Sequence, residues 1–152
     1  MLNPLLLCAL AGGPLELPSR LPDVVVNKDN VEITASCRVV IPPGTVIKDT
    51  DGNGVIHIKG DGLEVVFADG SELWGGPKPE GFDQGAWDTY SGIGIRVEGA
   101  KNLTMKNVRV HGFKVGVWAT GCDGLTVDAA DLSDNFRQHL RSTPSAEDRS
   151  DW

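Results

Sequence analysis

The chain has 152 residues, enough for one domain with a core of its own. Acidic side chains outnumber basic ones by 21 to 14, for a formal charge of −7, and an acidic surface does not draw in a phosphate backbone, so nucleic acid is excluded as a natural partner. Nineteen glycines and nine prolines, with frequent Val, Ile and Thr, favour short strands joined by tight turns.

Residues 1–11, MLNPLLLCALA, read as a secretory signal peptide. Leu5 to Ala11 is apolar, and Ala9-Leu10-Ala11 has the small-x-small form of a cleavage site. No Lys or Arg precedes the apolar run, so an apolar terminus packed on the domain is the competing reading. The run is too short to span a bilayer. Leu7 stands before Cys8 where a lipoprotein signal needs a small residue, so no lipid anchor is expected. The expectation is a secreted or periplasmic protein with no membrane span, and residues 12–29 as a lead-in.

Alternation begins at about residue 30. NVEITASCRVVIPPGTVI places Val31, Ile33, Val39, Ile41 and Val46 on one side. DTDGNG follows, with Asp49, Asp51 and Asn53 at positions 1, 3 and 5 of a calcium loop and Gly54 at position 6. Position 12 holds Gly60 instead of a bidentate Glu, and the flanks read as strands where that motif needs helices. A polar turn is the competing reading. No cofactor is required, and Ca²⁺ at Asp49, Asp51 and Asn53 is the one candidate. GVIHIKGDGLEVVFADGSELWG then repeats the alternation through Ile56, Ile58, Leu63 and Val65.

Residues 74–90, WGGPKPEGFDQGAWDTY, interrupt the pattern as a loop insertion. Trp74, Phe82, Trp87 and Tyr90 stand among Glu80, Asp83 and Asp88. Long loops on a repeat scaffold are where function concentrates. Aromatic faces beside carboxylates suit sugar rings, so these four aromatics are the carbohydrate-binding candidates. As a platform, Trp87 and Tyr90 should be solvent-exposed; otherwise the rings pack on the loop's own side. The acidic loop favours neutral glycans, or acidic ones bridged by Ca²⁺.

The next two segments repeat each other. IGIRVEGAKNLTMKNVRVHGF (93–113) and VGVWATGCDGLTVDAADLSDN (115–135) align at a constant offset of 22. Ile95, Val97, Leu103, Met105, Val108 and Val110 match Val117, Ala119, Leu125, Val127, Ala130 and Leu132, and all twelve should point inward. Gly99 and Gly121, then Asn102 and Gly124, recur at corners that need a positive φ. Three short strands per repeat make a triangular coil that cannot bury its inner face alone, so coils must stack. An antiparallel sandwich also alternates, but repetition at one offset argues against it. The expectation is an all-β parallel β-helix (a solenoid) of about four coils or part-coils over residues 30–135. Cys37 and Cys122 then lie about three layers, or some 14 Å, apart and stay free thiols.

The tandem pattern G-(I/V)-x-(V/A)-x-G-x-x-x-L-T-(M/V) resembles right-handed parallel β-helix proteins of the pectate-lyase-like superfamily. SCRVVIPPGTVI, VRVHGFKVGVWATG and DLSDNFRQHLRSTP resemble secreted bacterial proteins with such repeats, over roughly Val31 to Pro144. The resemblance implies a right-handed winding and an association with carbohydrate, on a fold that hosts lyases, hydrolases, epimerases and binding scaffolds. Lyases of this fold need a basic residue and a neutraliser of the uronate carboxylate. Asp131, Asp134, Arg137, His139 and Arg141 supply those residue types and are the catalytic candidates, although their spacing matches no motif and could serve only to solvate a turn. His57 and His111 read as outward or corner residues. No G-x-S-x-G, H-E-x-x-H, P-loop or paired-cysteine motif occurs.

The expected function is an exported β-helix module that binds polysaccharide or serves as a scaffold on it. The alternative is a polysaccharide-modifying enzyme (lyase, glycoside hydrolase or epimerase) whose active site this chain contains only in part. Residues 136–152 form an irregular, polar C-terminal tail that is a poor cap for the last coil. The expectation is therefore an N-terminal part of a longer protein, its open coil end meeting the rest of that chain or a second copy.

Overall fold

The computed structural model describes residues 20–78, 88–137 and 141–149. These are all-β, with no α-helix among them. The strands are β1 (Asp23–Val25), β2 (Val31–Ile33), β3 (Cys37–Val40), β4 (Ile56–Ile58), β5 (Glu64–Phe67), β6 (Leu73–Trp74), β7 (Ile93–Glu98), β8 (Thr104–Lys106), β9 (Val110–His111), β10 (Val115–Thr120) and β11 (Thr126–Asp128). Three sheets result, ordered β1-β3-β5-β8-β11, β2-β4-β7-β10 and β6-β9. Every strand pair in them is parallel.

Among the described residues, consecutive strands never pair with each other. The chain passes from the β2 sheet to the β3 sheet to the β6 sheet and back again in one fixed rotation. Single bridges between Val46 and Trp74, and between Arg109 and Asp131, extend the β6-β9 sheet in both directions. The doubled sequence is doubled in space. Ile95 pairs with Val117, Val97 with Ala119, and Met105 with Val127. Less regular segments join the same ladders: Val31 pairs with Ile56 and Ile56 with Ile95, although the loops between them differ in length.

The core is built of columns. Ile33, Ile58 and Val97 lie in one register, and Cys37, Val65 and Met105 in another, all buried. Ile95, Val97, Leu103, Met105, Val108 and Val110 are all fully buried, as the alternation requires. Their counterparts 22 residues later keep the register but not the burial. Val117 and Leu125 are half-buried, while Val127 and Leu132 are 40% and 42% exposed. The physical reason is position. β10 and β11 are the outermost strands of their sheets, and an inward residue is covered only when another layer lies on it.

The corners behave as their residues demand. Gly99 and Gly121 take φ of 65° and 63°, and Asn102 and Gly124 take 52° and 71°. Cys37 opens β3, buried, and Cys122 lies half-buried at the corner after β10; both are free. Among the described residues, no helix is long and apolar enough to cross a membrane.

Candidate functional site: the cleft beside Trp74

Leu73 is fully buried, so Trp74, the next residue on the pleat, projects from the outer face of β6. It is flanked in register by Val46 on one side and His111 of β9 on the other. The Trp74 and His111 rings stack with centroids 4.6 Å apart and planes 28° from parallel. His111 Nδ1 lies 2.7 Å from the Ser133 carbonyl oxygen, which can only accept, so Nδ1 carries a hydrogen. Trp74 Nε1 donates to Glu72 at 3.0 Å, and the Lys78 ammonium stands 5.6 Å from the centre of the Trp74 ring. Both stacked rings are almost wholly buried, at 9% and 4% exposure.

An open cleft of about 410 Å³ lies beside this stack, between the Pro43–Val46 turn and Gly70, Glu72, Trp74 and Lys78. Its floor includes Val46, which is 50% exposed. One anionic and one cationic side chain therefore flank an apolar patch whose exposed part is mainly the Val46 side chain, the Trp74 indole being almost wholly buried. This is the make-up of a small-ligand site, with a mainly apolar lining and a few polar groups to fix orientation.

Of the four aromatic candidates in the 74–90 insertion, Trp74 lines this cleft. Phe82 and Trp87 lie outside the described residues. Tyr90 departs from the expected exposure, being 6% exposed. Its ring packs on Gly76, where even a Cβ would come within 2.8 Å, and its hydroxyl donates to the Pro77 carbonyl at 2.8 Å. Burial, and next the nearby Asp134 charge, push the phenol pKa up. Tyr90 therefore closes the base of the insertion and presents no face to a ligand.

A second cluster forms around the calcium-like turn. Carboxylate oxygens of Asp29, Asp49 and Asp51 lie within 4.8 Å of one another. Asn53 touches the cluster through its Nδ2, which donates to Asp51, while its Oδ1 lies 2.9 Å from His57 Nε2. Asp29 is not part of the DTDGNG window and reaches the cluster only through contact between layers. The three carboxylates also fix backbone. Asp49 accepts from the Gly52 and Ile93 N–H groups, and Asp29 accepts from the N–H and hydroxyl of Thr50. Burial works against the charged form of Asp51, but hydrogen bonds from Asn30 and the Asn53 backbone outweigh it and hold its carboxyl below the usual range.

The catalytic candidates divide in the same way. Asp131 accepts from the Ser133 hydroxyl at 2.7 Å and the Ser133 N–H at 3.1 Å; these bonds, helped by His111 and Arg109, keep its pKa low. Asp134 takes a left-handed φ of 55°, and its carbonyl accepts from Gly112. Arg137 and Arg141 are exposed, and His139 lies outside the described residues.

No family model, curated protein or solved structure matches the chain. Functional chemistry must therefore come from the side chains themselves. Alternation groups Val46 with the inward residues, but it is 50% exposed and reaches Trp74 through a bridge between layers; Glu72 and Lys78, which flank Trp74 in the chain, carry no motif and were not candidates. Sequence reasoning also passed over Trp118, which is 47% exposed and in register with Arg96, His57 and Glu32 on the outer face of the β2-β4-β7-β10 sheet. The signal was present there: alternation places Trp118 among the outward residues, and an outward tryptophan is unusual.

Proposed function

We propose that the parallel winding is that of a right-handed parallel β-helix of the pectate-lyase-like kind, about four coils or part-coils long, and that this module binds polysaccharide. Support for the winding comes from the fixed rotation through three sheets and the 22-residue register; crossovers between parallel strands are right-handed in nearly all proteins. The single observation that carries the ligand class is the cleft beside Trp74. Its apolar floor suits the C–H face of a sugar, and Glu72 and Lys78 can bond hydroxyls. Opposite charges at the rim favour a neutral glycan. Ca²⁺ enters only as an optional ligand of the Asp29, Asp49 and Asp51 corner; export rests on the signal-like first eleven residues, and a bacterial setting on the resemblance to secreted bacterial repeat proteins.

A single shallow contact of this kind contributes about 1–3 kcal/mol per buried ring or side chain, so affinity falls in the millimolar to micromolar range as an order of magnitude. The test is titration of soluble neutral glycans, with and without calcium, followed by tryptophan fluorescence. Binding by the parent and its loss in Val46→Glu, which fills the floor with charge, is the expected result. A parent that binds no glycan, or a Val46→Glu protein that binds as the parent does, overturns it. The enzymatic alternative gains little from Asp131, whose Oδ1 is engaged by its own turn.

A further inference from the structure

We propose that the open end formed by β10 and β11 docks an extended basic polypeptide segment, added as one more parallel layer. This inference does not depend on the polysaccharide reading.

The first observation is the open edge. Among the described residues β10 and β11 are outermost in their sheets, and Trp118, Val127 and Leu132 remain 40–47% exposed there. An outermost strand offers unpaired N–H and C=O groups to any chain that can lie beside it.

The second observation selects the chain. In the last two layers, cations lie beneath anions at three separate places. Lys101 is in register with Asp123, Lys106 with Asp128, and Arg109 with Asp131. Lys106 is held between two acids: its ammonium bonds Glu64 at 2.7 Å on one side, and Asp128 lies in register on the other, both raising its pKa. The same rule holds at the opposite end, where Arg38 forks onto Asp23 of β1 at 2.7 and 2.8 Å. Opposite charges thus lie in register at four places on the outer faces, and each such pair favours that register. Asp123, Asp128 and Asp131 are exposed, and β11 is the last strand of its sheet. The next layer should therefore present Lys or Arg at the spacing of Lys101, Lys106 and Arg109.

The same charges argue against a second copy as the occupant. In head-to-tail stacking, β1 would lie on β11 and bring Asp23 over Asp128. In end-to-end stacking, two sets of three aspartates would meet. Like charges directly opposite are destabilising in both arrangements.

The test uses the full chain and a peptide with the sequence of residues 93–113, beside the same peptide carrying Lys101→Glu, Lys106→Glu and Arg109→Glu. Binding is read by amide hydrogen exchange in β10 and β11, and self-association by sedimentation. The basic peptide should slow exchange in residues 115–120 and 126–128 and bind at least ten-fold more tightly than the acidic one. Asp128→Asn, a mild and exposed change, should narrow that preference at least three-fold. Equal binding of the two peptides, binding of neither, an unchanged preference in Asp128→Asn, or self-association of the chain alone at micromolar concentration would each overturn the proposal.

Discussion

Asn135 grips the backbone of Phe113, the residue that precedes it by one repeat. Its Oδ1 accepts the Phe113 N–H at 3.0 Å, while its Nδ2 donates to the Val110 and Leu132 carbonyls, each at 2.8 Å. The Phe136 N–H then bonds the Phe113 carbonyl. A side-chain amide thus takes over from strand pairing where the doubled pattern stops. Asn135→Ala should destabilise the fold by about 1–3 kcal/mol, because it strands partly buried donors and acceptors. A lower urea midpoint checks this, and an unchanged midpoint would show that water replaces the amide without loss.

Burial differs sharply between Ile95 and Val117, although they occupy equivalent positions. Ile95→Ala removes a fully enclosed side chain and should cost about 2–5 kcal/mol. Val117→Ala, half-covered at the open end, should cost less than about 1 kcal/mol by the same reasoning. Urea denaturation of the two variants gives the comparison, and equal losses would mean that something covers β10.

Gly94 recurs as Gly116 for reasons of space. A Cβ at Gly94 would stand 2.4 Å from Val110 Cγ1 and 2.7 Å from the Gly116 carbonyl oxygen. The backbone cannot give way cheaply, so Gly94→Ala should lose about 1–3 kcal/mol or more by overpacking. Gly44→Ala meets no atom within 4 Å but forces alanine to a φ of 74°, at about 1 kcal/mol. Thermal unfolding should rank the two in that order.

Acid should weaken the fold through its hydrogen-bonded aspartates. The Arg38 guanidinium holds the Asp23 carboxyl below its ordinary range, and the Ser133 hydroxyl and N–H do so for Asp131. A carboxylate with a depressed folded pKa contributes stability above its unfolded value and loses it as pH falls through the folded one. Stability should therefore decline from about pH 4 downward. The decline should be shallower in Asp131→Asn and Asp23→Asn, measured as urea midpoints at neutral and acid pH. A parallel decline in both variants would remove these two groups from the account.

The thiols of Cys37 and Cys122 should react at very different rates. Cys37 is buried in the column it shares with Val65 and Met105, and burial raises its pKa, so it stays protonated. Cys122 is half-buried at a corner. Alkylation of the native protein at neutral pH should label Cys122 first and Cys37 only on unfolding. Rapid labelling of Cys37 itself, located by peptide mapping, would mean that the β3 layer opens readily.

By itself, the sequence determined the parallel layers of residues 93–135. Stacked strands repeat the same environment at each level, so inward positions, left-handed corners and in-register pairs all leave a 22-residue period. The 93–113 half of that pattern could be read as core from alternation alone, and the thiols followed from counting layers. Trp74 was legible as an aromatic at the root of an insertion. What surrounds it was not. Val46 and His111 reach Trp74 and its neighbours Glu72 and Lys78 through lateral contact between layers, and the lengths of the intervening loops carry no period to count. The tertiary structure likewise decided that Tyr90 packs inward, since Gly76 opens a slot for its ring, and that Asp29 joins Asp49 and Asp51. It also decided that Val127 and Leu132, apolar and correctly phased, stay uncovered. A residue's phase is local and is written in the chain, whereas its burial depends on whether another layer lies above it.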